Sequence, residues 1–170
     1  MAKVLLKDVC ELARVVDSLR CPLKSYSAVP NLSEEELKTM SNEKKLWYAQ
    51  CQYYEKIVEI LWEKKIAVES NSMEAIIIWG NELEKKFSEL SVSVSELKWA
   101  IDKYLEYYDP DCVRIPDLDR QERIENIVYS SIGERDEYKE NFNRLIESIK
   151  IELEPYIRKY HGRCKRGHAN

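Results

Sequence analysis

The sequence predicts an all-α protein: a mostly antiparallel bundle of six or seven helices, some long and coiled-coil-like. One domain is expected over residues 1–161, followed by a flexible basic tail at 162–170. Three observations carry this reading. First, apolar residues recur at steps of three and four, as Leu5, Val9, Leu12, Val16 and Leu19, then Met73, Ile76, Gly80, Leu83, Phe87 and Leu90, then Phe142, Leu145, Ile149 and Leu153. At 100° per residue those steps return each set to one stripe of a helix. Second, four Gly and five Pro in 170 residues leave few places to break a helix. Third, a chain of this length buries about 70% of the surface it exposes when unfolded. The 44% of hydrophobic residues can therefore close a core without metals or disulfides.

The first helix is expected from Ala2 to Leu19, with Leu6 and Ala13 widening its stripe into a packed face. Cys21-Pro22 ends it, because proline disfavours helical geometry in the residue before it. Residues 21–32, with two prolines, read as a loop. Ser33-Glu34-Glu35-Glu36 is a capping box, in which hydroxyl and carboxylate satisfy each other's backbone amides, and a helix starts there. It either continues through Ser41-Asn42 or is replaced by a new helix capped at that pair.

From Leu46 to Val68 the pattern is helical, with Trp47, Cys51, Tyr54, Val58 and Leu61 in one row and Tyr53, Ile57 and Ile60 beside it. Ser70-Asn71-Ser72 is expected to break it, which places Gly80 inside the next helix, close to a neighbouring helix or ring. Ser93-Val94-Ser95-Glu96 reads as a second capping box with Val92 stapled on Leu97. The helix that follows closes at Asp109-Pro110. Asp117 caps a helix holding Ile124, Ile127, Val128 and Ile132, and the last helix runs from Glu134, with a kink or fresh turn at Pro155. The longest helices are expected at 43–69, 73–91 and 134–160.

Catalytic groups are scarce. His161 and His168 are the two histidines, both near the C-terminal end, and no Gly-rich phosphate loop, Cys-x-x-Cys, Gly-x-Ser-x-Gly or His-Glu-x-x-His is present. Nor is there a Glu-x-x-His pair of the kind that holds diiron in helical bundles. No cofactor or metal is expected: His161, Cys164 and His168 offer three donors where structural zinc takes four. Five cysteines at irregular spacing read as free thiols in a reducing compartment, cytoplasmic or nuclear. The longest apolar run, Ala75–Trp79, is far short of the roughly 20 residues of a membrane span.

Charge is unevenly placed. Arg158, Lys159, Arg163, Lys165 and Arg166 give the segment from Pro155 onwards +5 with no acid, against −4 for the whole chain. Such an end can contact phosphate, nucleic acid or another anionic surface, or can be a solvated helix terminus where bases suit the dipole. Arg163 and His168 also have four residues between them, a spacing that resembles the RNA-cleaving Arg and His pair of helical HEPN-class nucleases; spacing alone carries that resemblance. The tyrosines at 53–54 and at 104, 107 and 108 could stack on bases, but acidic neighbours favour core packing. The leading expectation is a non-catalytic helical module that binds another protein or its own copy. An anion or nucleic-acid binder and a helical RNase stand as alternatives.

Overall fold

The computed structural model describes residues 1–22, 32–112, 117–130 and 135–163, with side chains as far as Arg158. These residues form six helices and no strand: α1 (Ala2–Arg20), α2 (Glu34–Thr39), α3 (Asn42–Trp79), α4 (Asn81–Tyr107), α5 (Leu118–Val128) and α6 (Glu137–Arg163). The α1 stripe is buried as its spacing requires, Leu5, Val9, Leu12, Val16 and Leu19 all lying in the common core. The Ser33 box forms, with Glu36 N–H donating to Ser33 Oγ and Ser33 N–H to Glu36 Oε2. The helix it starts nevertheless stops after six residues, and Ser41 caps α3 through the Lys44 amide.

Two expected breaks are absent. Ser70-Asn71-Ser72 lies inside α3, which runs 38 residues, about 57 Å at the rise of an α-helix. The polar side chains expected to cap a new helix are engaged elsewhere. Asn71 Nδ2 donates to Asp8 Oδ2 at 2.6 Å, and the buried Ser72 hydroxyl donates to the Glu69 carbonyl at 2.8 Å. The break falls at Gly80 instead. Its φ of 91° is one that glycine adopts without penalty, and its N–H closes α3 on the Ile76 carbonyl at 2.9 Å. Gly80 is thus a hinge between helices and not a close-approach site: a Cβ built there meets no atom within 4 Å.

The Ser93–Glu96 sequence likewise lies within α4 and caps nothing. Val92 is exposed while Val94 and Leu97 are buried, so the expected staple does not form, and the Ser95 hydroxyl donates back to the Ser91 carbonyl. Helix α6 starts at Glu137, capped by Asp136 through the Lys139 amide, and continues through Pro155 with no fresh turn. Pro155 and Ile151 both face solvent, where water can satisfy the carbonyl that proline leaves without an amide. The long helices are therefore α3, α4 and α6, each displaced from its expected limits. Cys164, Ile132 and Gly133 lie outside the described residues.

Helices α1, α3, α4 and α6 share the core, with α5 packed on α4. Side-chain links set the pairings: Lys64 with Glu11 and Asn71 with Asp8 between α3 and α1, Ser91 with Glu69 between α4 and α3, Tyr138 with Ser93 and Lys86 with Glu152 between α6 and α4. In α3 the deepest positions are Tyr54, Leu61, Val68 and Ala75, seven residues apart. Ion pairs flank this ridge, Lys64–Glu11 towards α1 and Lys65–Glu69 towards α4. The Lys64 hydrogen bond holds the Glu11 carboxyl below its ordinary range.

Candidate interaction surface

At one end of the molecule polar groups are buried and paired. Arg20, the last residue of α1, is 2% exposed. Its Nε donates to the Ile127 carbonyl at 2.7 Å, and its Nη2 donates to the carbonyls of Asn126 and Tyr129 at 2.9 Å and to Asp136 Oδ1 at 2.8 Å. The guanidinium therefore caps the C-terminal end of α5, where the helix dipole favours a cation, and ties it to the first turn of α6. It also sits 4.6 Å from the Tyr138 ring centre. Burial pushes the Tyr138 phenol up to about 12, partly opposed by the Ser93 side chain and by Arg20, and the phenol donates to the Ser93 carbonyl at 2.9 Å.

Next to this cluster the tyrosines pack as core and edge. Tyr54 and Tyr104 are buried, and the Tyr129 hydroxyl donates to that of Tyr104 at 2.7 Å. Tyr108, at the rim, bonds Glu125 and accepts from Gln121, while burial pushes its phenol up to about 12. These rings are spent on packing and internal hydrogen bonds. Cys51 is half-buried, and burial pushes its thiol up to about 11, the opposite of what a nucleophile or metal ligand needs.

Of the five residues of the expected basic-end site, Arg158 has a described side chain. Arg158 is exposed and forms an ion pair with Glu154 one turn away. The side chains of Lys159, His161 and Arg163 lie outside the described residues, as do Lys165, Arg166 and His168. Arg163 is the last described residue of α6, and the Arg163–His168 pair lies outside the described side chains. Among the described residues no group of three His, Cys, Asp or Glu could hold a metal, and no helix is long and apolar enough to cross a membrane.

Among the described residues lie two open grooves. One, about 540 Å³ between α4 and α5, sets Arg120 and Arg123 against Asp117 and Asp119 beside Trp99. The other, about 740 Å³ between α4 and α6, is lined by residues such as Lys85, Glu89, Val92 and Arg144. In each, charges of both signs cancel and no histidine or cysteine converges. Neither offers a nucleophile or general base with a partner to activate it.

What stands out is the outer face of α3. Trp62 is 37% exposed, Ile66 56%, Met73 65% and Ile77 85%. At 100° per residue these four fall within an arc of about 60°, on a row distinct from the buried ridge. Comparison with family models, with curated proteins and with solved structures gives no match. The surface must therefore be read from its own chemistry. Met73 was expected in the core and Ile60 on a buried row; both face solvent, because α3 does not break at Ser70 and its true ridge is the seven-residue series through Leu61 and Val68. The signal for the outer row was present in the sequence. Ile76-Ile77-Ile78-Trp79 cannot all point one way at 100° per residue, so a single helix through that run exposes part of it.

Proposed function

We propose that this chain is a non-catalytic helical interaction module, a mostly antiparallel bundle that binds another protein along the outer face of α3. The row of Trp62, Ile66, Met73 and Ile77 carries the reading. Isolated apolar residues on a surface are ordinary, whereas an aligned row on a regular helix has the form that helix-on-helix recognition uses. Its spacing of four, seven and four residues pairs Trp62 with Met73 and Ile66 with Ile77 eleven residues apart, close to three full turns, so the row stays on one face of the helix. The row is about 22 Å long, a contact that belongs with smaller, transient interfaces.

The test is capture from native lysate by the full chain and by an Ile66→Asp/Ile77→Asp variant, read by peptide identification. Proteins retained by the first and lost by the second support the reading. An identical set retained by both, with helix content unchanged, overturns it.

A further inference from the structure

The two flanks of the α3 row differ in charge, and this difference specifies the kind of partner. On the flank towards α4 the charges are neutralised within the chain: Lys65 donates to Glu69, which also accepts from Ser91 Oγ at 2.8 Å. Burial pushes the Glu69 carboxyl up, but those hydrogen bonds outweigh it and hold it below its ordinary range. On the flank away from α4, the 100° rotation places Glu59, Glu63 and Glu74 beside the row, all exposed. Glu55 lies at the head of the row, so Glu55, Glu59 and Glu63 follow one another at intervals of one turn, a like-charge spacing that is unfavourable in a helix. None of these four acids has an ion-pair partner among the described residues; Lys45 and Lys56 share their side of the helix, and Lys64 beyond it, paired with Glu11, feels the charge of Glu63.

From this we infer that the occupant of the row is an amphipathic helix with a basic edge, its apolar stripe on Trp62, Ile66, Met73 and Ile77 and its Lys or Arg side chains against Glu59, Glu63 and Glu74. A basic edge relieves the repulsion along α3 and adds charge complementarity at the rim, where it selects partners and accelerates encounter. An acidic edge meets the same apolar row but adds like charge. The inference rests on the reading of the α3 face as a docking surface, and goes beyond it in naming the partner's charge.

Two dye-labelled helical peptides with leucine at the same steps of four, seven and four test it against the full chain by fluorescence anisotropy, one carrying lysine and the other glutamate along its edges. The lysine peptide is expected to bind at least about tenfold tighter at low salt, with the gap closing as salt screens the rim. A Glu59→Lys/Glu63→Lys variant should reverse the preference, and Ile66→Asp should abolish binding of both peptides. Equal affinity for the two peptides overturns the basic-edge inference and leaves the docking face standing. Absence of binding by either peptide overturns it too, and the docking face is then judged by the capture comparison alone. A wild-type chain that sediments as a dimer, made monomeric by Ile66→Asp/Ile77→Asp, assigns the face to a second copy and also overturns the inference.

Discussion

The Arg20 end and the outer face of α3 both hold residues on the wrong side of the usual division between polar surface and apolar core, yet only one of them is resolved within the chain. Arg20 is charged and buried, and it meets three carbonyls, a carboxylate and an aromatic ring. Ile77 is apolar and 85% exposed, with little cover from the described residues. Burying a charge is tolerated only when its hydrogen bonds are replaced, so the first anomaly must be satisfied for the molecule to fold. Exposing an isoleucine costs little in the folded state relative to the unfolded one, so the second can persist for a purpose outside the fold. The two regions therefore predict opposite responses to mutation.

The largest expected effect is at Arg20. Arg20→Met keeps much of the side-chain volume but takes the guanidinium from the last carbonyls of α5 and from Asp136, which keeps the Lys139 amide, and is expected to destabilise by about 3–5 kcal/mol in urea unfolding, as for other broken buried pairs. Arg20→Lys should fall between, since one ammonium cannot reproduce the guanidinium fork. A loss below about 1 kcal/mol for the methionine variant would mean that this end is not the lock described here.

Little of that lock was visible beforehand. An arginine closing a helix before Cys21-Pro22 reads as a solvated cation on the dipole, and no local pattern links it to carbonyls more than a hundred residues away. What local chemistry decides alone was legible. The α1 stripe, the Ser33 box and the Asp117 cap depend on residues within a turn or two, and all three are present. Ser70-Asn71-Ser72 failed as a stop signal for the complementary reason: Asp8 on α1 takes the Asn71 amide, and burial of Val68 and Ala75 on either side favours a continuous helix. The basic-end residues were legible as charge, but Arg158 is the one whose side chain is described, and it pairs within its own helix.

The next effect sharpens the Arg20 end through pH. The Tyr138 phenol is raised from 10.0 to about 12 in the folded protein. The native state therefore holds that proton more tightly, and its contribution is complete below pH 10 and is lost as pH rises from 10 through about 12. The loss should be on the order of 2 kcal/mol. Tyr138→Phe, which cannot ionise, should flatten the alkaline fall in stability; an unchanged profile would show that other groups carry it.

Gly80 closes α3 just beyond the exposed row and opens α4. Gly80→Ala introduces no clash, because the added Cβ meets nothing within 4 Å. Its cost is therefore conformational, about 1–3 kcal/mol for a side chain forced into a φ/ψ region that is essentially glycine's alone. Chemical denaturation would register it, and a neutral result would mean that the turn re-forms with negative φ.

The smallest stability change belongs to the face that should matter most for binding. Ile66→Asp and Ile77→Asp lie on positions that are 56% and 85% exposed, and each should alter unfolding free energy by no more than about 0.5 kcal/mol. More than half of each side chain is already wet, Glu69 is neutralised by Lys65, and the new like-charge pairs with Glu63 and Glu74 three residues away cost only about 0.2–0.5 kcal/mol each. Stability near wild type together with lost association separates a docking surface from a structural one. If instead either variant unfolds the protein, the α3 row is packed in solution against some part of this same chain, and its likeness to the Arg20 end would replace the contrast between them.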